Sequence, residues 1–308
     1  MKQISTMGSR SVSQHGSSQR QRGAANLAIS LVIATVLGAG LYAWEVWFAR
    51  PAMVYAGVPK VIDGDLTRWQ RILRSDAYLV GYSEWLGNPL WVSYAVQPRP
   101  ENLRRLPRPS GFDEDWRTLR CLTQIACVDH RSYTNSGFDR GHMAPNHLIA
   151  TRYGREAQHQ TFLMTNITPQ KPSLNQGSWQ QLEALIEDEL ASRHGSFRVI
   201  TGPIFGPDPA RIGGPLGVAV PEAFYKILVR EPTTANEAPK VLAFLFPQDT
   251  PKHADLRTLL VDIDEIEARV GLDFFPELND EIERRIEAEI QPGDWALDAA
   301  LGKRTANR

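Results

Sequence analysis

The sequence predicts an α+β fold, a mostly antiparallel sheet with packed helices, preceded by an N-terminal membrane-spanning helix. Three observations carry that prediction. Apolar or alternating runs of strand length recur between Gly- and Pro-rich breaks, at 78–82, 90–96, 197–202, 218–229 and 241–247. Segments with helical spacing lie at 177–192, 263–270 and 279–290. Nothing between 58 and 292 has the composition of an internal linker and no segment repeats, so these residues read as one domain, expected over 61–296.

Residues 1–23 are rich in Ser, Gln and Arg and contain no acid, so they read as a disordered basic segment. From Ala24 to Trp44 the chain is apolar apart from Asn26, Ser30, Thr35 and a few small residues. A run of about 20 apolar residues can span a bilayer as a helix, which places a transmembrane signal anchor at 24–48. Basic residues precede the run, so the folded domain is expected on the non-cytosolic side, periplasmic or extracellular. Two alternatives stand beside the anchor. One is a cleaved signal that secretes the domain, with Val54-Tyr55-Ala56 as the cleavage region. The other is a mitochondrial presequence, suggested by Arg and Ser without acid before Glu45.

Residues 49–60, punctuated by Pro51 and Gly57, read as a linker. A helix is expected from about Asp65 or Thr67 through Trp69 and Leu73, followed by the strands at 78–82 and 90–96. Residues 98–109 form a Pro- and Arg-rich loop, and 132–137 carry turn chemistry. A short strand is expected at 162–166, then an irregular stretch at 169–175 broken by Pro172. The helix at 177–192 places Trp179, Leu182, Leu185 and Ile186 on one face. Beyond the last helix, residues 297–308 read as a flexible tail.

The 308 residues are 42% apolar and 22% charged, with a formal net charge of -1. Charge is unevenly placed. Lys2, Arg10, Arg20, Arg22 and Arg50 face only Glu45 in the first fifty residues, which leaves the remainder net acidic. An acidic body excludes a protein that holds nucleic acid by bulk electrostatics, though not an enzyme with a local basic cleft. Residues 104–155 supply Arg104, Arg105, Arg108, Arg117, Arg120, Arg131, Arg140, Arg152 and Arg155, with acids interspersed. Cys121 and Cys127 have the spacing of a small disulfide loop, and free thiols stand as the alternative.

Two elements carry chemistry. The first is Ser136-Gly137-Phe138-Asp139-Arg140-Gly141-His142-Met143-Ala144-Pro145. Gly141 lets the backbone turn or approach another group closely. His142 can exchange a proton near neutral pH, Arg140 can present a planar fork to phosphate, and Asp139 can orient a neighbour. A lone histidine in a turn is more often structural. The second element runs Thr165-Asn166-Ile167-Thr168-Pro169-Gln170, then Ser173-Leu174-Asn175-Gln176-Gly177-Ser178-Trp179, then Glu183. On a helix, Asn175 and Glu183 fall about 80° apart around the axis, so both can reach one cleft. Their oxygens are hard ligands, suited to magnesium or manganese. Read alone, Asn175 is more often a helix cap and Glu183 a surface residue.

Together the two elements resemble the DNA/RNA non-specific endonuclease family, which includes secreted bacterial nucleases and mitochondrial endonuclease G. Its members carry Asp-Arg-Gly-His, as at Asp139-Arg140-Gly141-His142, and about 30 residues later a stretch similar to Leu163-Met164-Thr165-Asn166-Ile167-Thr168-Pro169-Gln170. Leu174-Asn175-Gln176, Trp179 and Leu182-Glu183 follow. Weaker similarity extends across most of 55–280.

The resemblance implies a ββα-metal active site in a Mg²⁺-dependent nuclease, with Mn²⁺ as the alternative ion. It would cleave DNA and RNA with little sequence preference and leave 5′-phosphate ends. Carried over position by position, His142 is the general base and Asn175 the direct metal ligand. Glu183 would hold water around the ion, Arg140 would contact phosphate, Asn166 would help build the substrate cleft, and Asp139 would support the others. Some members have an arginine where this chain has Glu187, so either another arginine serves, such as Arg131 or Arg152, or phosphate binding is weaker. The resemblance also allows a homodimer.

Activity is expected to fall on the acid side of the His142 pKa, between pH 5 and 8 for an ordinary histidine. The rival readings are a catalytically weak, membrane-tethered nucleic-acid-binding domain and a phosphodiesterase for small or lipid-linked phosphates. Neither zinc fingers nor other base-reading motifs occur, so contacts with DNA and RNA are expected at phosphate and sugar.

Overall fold

The central strands are apolar on both sides, and such strands require a sheet covered on both faces. The computed structural model describes residues 13–101, 106–234 and 237–306. Residues 1–12 of the expected disordered segment lie outside the described residues, as do Arg104 and Arg105 of the arginine cluster.

The chain divides into two units, Met1–Ala49 and Arg50–Arg308. The first holds α1 (Ser13–Trp44), continued by a π-helical turn at Glu45–Ala49. Helical residues Asn26–Met53, with a mean hydropathy of 2.0, are long and apolar enough to cross a membrane by length and composition. Helix α1 starts well before Ala24, so residues 13–23, expected to be disordered, are helical. They contain no proline, and extending an existing helix needs no new nucleus.

The second unit begins with β1 (Lys60–Val61), β2 (Gln70–Arg74), β3 (Tyr78–Ser83) and β4 (Asn88–Val96). Helix α2 (Leu119–Leu122), β5 (Asp139–His142), α3 (Asn146–Gln160) and β6 (Ile167–Gln170) follow. A continuous helical run comes next: a π-type turn at Leu174–Trp179, α4 (Gln180–Leu185), a second π-type turn at Ile186–Leu190, and α5 (Ala191–His194). Then come β7 (Phe197–Ile204), β8 (Arg211–Ile212), β9 (Val218–Ala219), β10 (Ala223–Arg230), β11 (Lys240–Pro247) and β12 (Leu260–Val261). The last elements are α6 (Ile263–Val270), β13 (Leu272–Asp273), α7 (Asp280–Glu287) and α8 (Leu297–Ala306).

Seven strands form one sheet in the order β12-β11-β10-β7-β4-β3-β2, every neighbour antiparallel. Side chains alternate between its faces with the period of two that a strand imposes. Tyr78, Val80, Tyr82, Val92, Tyr94, Phe224, Leu228, Phe244 and Phe246 enter one core, with Leu148 and Ile149 of α3 and Trp179 and Leu182 of the helical run. Leu79, Trp91, Tyr225, Ile227, Val229, Ala243 and Leu245 enter the other, with Ile263 and Ile266 of α6 and Ile286 of α7. Strands β4 and β7 are neighbours, and Val96 pairs with Phe197. Residues 97–196 therefore leave the sheet and return to the same point, carrying β5, α3, β6 and the helical run as one closed excursion.

Several expectations are corrected. The helix expected through Leu73 is a 3-10 turn at Leu66–Arg68 followed by β2. Asp65 does cap the turn, but pairing of Leu73 with Val80 of β3 outweighs helical propensity beyond it. Residues 162–166, expected as a strand, end in a 3-10 turn at Met164–Asn166, and extended structure starts at Ile167, where pairing with His142 begins. Residues 49–60 are not a free linker, because Val54 is buried in the second core and β1 pairs with β13. The tail expected to be flexible forms α8, with Leu297 and Ala300 buried beside Trp295. Cys121 and Cys127 form a disulfide.

The C-terminal helix gives a direct test. Leu297→Ala removes a fully buried side chain, so urea unfolding should show a loss of about 3 kcal/mol. A frayed tail would give a change within about 0.5 kcal/mol.

Candidate active site

Pairing of β5 with β6 and the turn into the helical run bring the two sequence elements together. Asp139, Arg140, Gly141 and His142 oppose Gln170, Pro169, Thr168 and Ile167. Gly141 is required by close approach, since a Cβ there would collide with the Gln170 side chain. Past His142, Met143 N donates to Asn166 O at 3.0 Å. Asn166 is 0% exposed and fully used. Its Oδ1 accepts from Ala144 N at 2.8 Å, and its Nδ2 donates to Ala144 O at 3.1 Å and to Thr161 O at 2.9 Å. Asn166, expected from the sequence to help bind substrate in the cleft, instead has its whole amide engaged by the backbone. It clamps the chain that leaves His142.

The helical run is seated by its first turn. Gly177 departs from helical geometry and lies so close to Lys252 that a Cβ would press on that residue's backbone. Ser178 Oγ donates to Pro251 O at 2.6 Å and accepts from Ala254 N at 3.0 Å. Asn175 sits inside this turn and is not its cap. Its Nδ2 donates to Asp139 Oδ2 at 2.8 Å, and Gln176 Nε2 donates to the same oxygen at 2.8 Å. A carboxylate accepts hydrogen bonds, so it must meet the NH₂ end of the amide. The Asn175 oxygen is thereby the end left for a ligand in the cleft.

A cleft of about 340 Å³ runs between these elements, lined by Arg108, Arg140, His142, Asn175, Glu183 and Glu187 among others. His142 packs against Phe162 and Phe112, with ring centroids 4.9 and 5.6 Å away. Its Nε2 is buried and has no hydrogen-bond partner among the described residues. Burial, helped by the positive charge of Arg108, lowers the His142 pKa to about 3, while the Arg140 backbone opposes the shift. The imidazole is therefore neutral across the range in which an ordinary histidine would titrate. This moves the expected acid limb well below pH 6.5.

Arg140 stacks over Tyr133 and Phe112 at 5.6 and 5.7 Å and donates Nη2 to His130 O at 2.6 Å. Its Nε is buried without a partner. Arg108, one of nine arginines in its stretch of sequence, is exposed, lies over Phe162 at 5.2 Å and shares the cleft with Arg140. The two arginines expected to compensate for Glu187 do not. Arg152 is 1% exposed and donates Nη1 to Glu187 at 2.8 Å, while His147 meets the same carboxylate from the cleft side at 2.8 Å. Arg131 is 78% exposed, paired with Asp129, and absent from the cleft lining.

Glu183 reaches the cleft with a partner that the sequence does not disclose. Lys226 in β10 alternates with Phe224 and Leu228, so it points into the core that carries Trp179. It is 0% exposed, with its ammonium 4.2 Å from the Trp179 ring centroid and 3.5 Å from Glu183 Oε1. Burial pushes the Glu183 carboxyl up and the Lys226 ammonium down, and each opposes the other's shift. Glu183 Oε1 is buried, with the Lys226 ammonium as its neighbour. An oriented amide oxygen and a carboxylate on one cleft fit a hard divalent cation. No signal in the local sequence marks Lys226.

A family model described as DNA/RNA non-specific endonuclease matches residues 64–281. The chain is 32% identical over 209 residues to a nuclease of Serratia marcescens, covering 65% of this chain and 73% of that protein. It is 33% identical over 217 residues to the mitochondrial endonuclease G of Homo sapiens, covering 66% and 69%. A crystal structure of an EndoG/EndoGI complex is similar in fold, with a TM-score of 0.59 and 23% identity over 70% of this chain and 92% of that one.

Lys226→Met keeps the shape of the buried side chain and removes its charge. Glu183 then loses the charge that most opposes its burial and protonates at higher pH, so the acid limb of activity should move towards neutrality. An unmoved limb in a folded variant would contradict this role for Lys226.

Proposed function

The chain belongs to the DNA/RNA non-specific endonuclease family, and on that footing we propose a divalent-cation-dependent endonuclease that cleaves DNA and RNA with little sequence preference. The observation that carries the reading is a neutral His142 with an unpartnered Nε2, facing the same cleft as an Asn175 amide held by Asp139.

His142 Nε2 accepts a proton from water as that water attacks phosphorus in line. Phe112 and Phe162 hold the ring in place and keep bulk water from neutralising the base. Arg140 and Arg108 present positive charge to the phosphate, Arg140 with its guanidinium braced on two aromatic rings. Asn175 would hold Mg²⁺ or Mn²⁺ with Glu183 beside it, and the ion would supply positive charge where negative charge grows on the phosphate and the leaving oxygen. Lys226 favours the ionised form of Glu183 against its burial. Cleavage on the 3′-oxygen side leaves 5′-phosphate ends. The cleft lining offers charge and amides rather than a base pocket, which supports contacts to phosphate and sugar. The apolar helix supports a membrane anchor with the catalytic unit on the non-cytosolic side, and the mitochondrial relatives support the organelle as the alternative.

The test uses the full chain in detergent, with supercoiled plasmid and total RNA as substrates. Wild type should degrade both with Mg²⁺ and neither with EDTA, and His142→Ala should lose about 100-fold or more. Retention of more than about a tenth of the activity would remove His142 as the base. Because its pKa lies far below the ordinary range, His142 should contribute no loss of activity between pH 8 and pH 5. A limb centred near pH 6.5 that disappears with a His142 substitution would contradict the buried, neutral imidazole.

A further inference from the structure

On the opposite face of the sheet from the cleft, three carboxylates converge where α6 packs on α7. One oxygen each from Asp264, Glu267 and Glu287 lies within 4.8 Å of the others. Two oxygens bound to one ion at 2.3–2.6 Å stand at most about 5 Å apart, so one calcium-sized cation can bridge all three.

Glu287 makes this more than an acidic surface. It is 5% exposed, and its Oε1 is buried with no hydrogen-bond partner among the described residues. It is the last residue of α7, where the helix dipole disfavours negative charge. The charged groups acting on it are Glu267, Glu283, Asp264 and Asp273, all acids. Nearby arginines are engaged elsewhere: Arg284 folds back onto Asp280 O, Arg269 pairs with Glu222, and Arg285 lines a separate depression with Glu237 and Lys240. A buried, unpartnered carboxylate at a helix C-terminus among four acids is costly unless something positive meets it. Glu267 is already oriented, since its Oε1 accepts from Phe274 N at 2.8 Å.

We propose that Asp264, Glu267 and Glu287 form a second cation site that takes a hard divalent ion of the Ca²⁺ type and fastens α6 to the end of α7. Its role is structural. It closes the second core over Phe274 and Phe275 and stands apart from the catalytic cleft.

Thermal unfolding of the full chain in detergent, with Ca²⁺ or with EDTA, tests the site. Wild type should gain about 5 °C or more in Ca²⁺. Asn175→Ala, which disables the cleft, should keep that gain. Glu287→Gln should unfold above wild type in EDTA, because a repelling charge is gone, and should show no gain in Ca²⁺. Should that variant not fold, Asp264→Asn, at an exposed position, should match wild type in EDTA and lose the gain. The proposal is overturned if wild type shows no gain, if Asn175→Ala abolishes it, or if folded Glu287→Gln or Asp264→Asn keeps it. It is also overturned if Glu287→Gln raises stability equally with and without Ca²⁺, which would mark carboxyls that share a proton.

Discussion

One carboxylate oxygen, Asp139 Oδ2, joins the two halves of the site. It sits on the strand that carries His142 and takes the amide protons of Asn175 and Gln176 from the first turn of the helical run. That bond fixes which end of the Asn175 amide faces the cleft. It also ties the strand to the helical run on which Asn175 and Glu183 stand. Asp139, expected to support the other motif residues, thus holds two of the cleft amides.

The bond is useful only because its surroundings are rigid. The residues lining the cleft all lie within 97–196, an excursion whose ends meet at Val96 and Phe197 in the middle of an antiparallel sheet. Asn166 clamps the chain after His142, and the segment around Lys252 seats Gly177 and Ser178. Burial then tunes the chemistry. It lowers the His142 pKa and keeps the imidazole uncharged, and it pushes the Glu183 carboxyl up and the Lys226 ammonium down while each opposes the other's shift. The same burial confines Glu187, which is occupied by Arg152 and His147 and offers the cleft little free negative charge.

Strands at 78–82, 90–96 and 241–247 were readable because apolar side chains alternate on both faces without interruption. The segment after Asp65 misled because a capped 3-10 turn has the chemistry of a helix start, whereas its strand is decided by pairing with β3. Helix α3 went unread because its polar face is wide and Gly154 breaks its geometry. In the site, Asp139, Arg140, His142, Asn175 and Glu183 were legible as a motif, since short-range spacing places them. Lys226, Arg108 and the fates of Arg131 and Arg152 depend on partners distant in sequence, which no local pattern records. Asn166 was recognised as important, but only its hydrogen bonds reveal that it braces the backbone.

With its NH₂ end on Asp139, the Asn175 amide has only its oxygen to offer a cation. Anomalous diffraction from crystals of the protein grown with Mn²⁺ should show a peak in the cleft bonded to Asn175 Oδ1, with Asn175 Nδ2 still on Asp139 Oδ2. A cleft peak bonded to Asp139 itself, with the Asn175 amide turned away, would contradict that orientation.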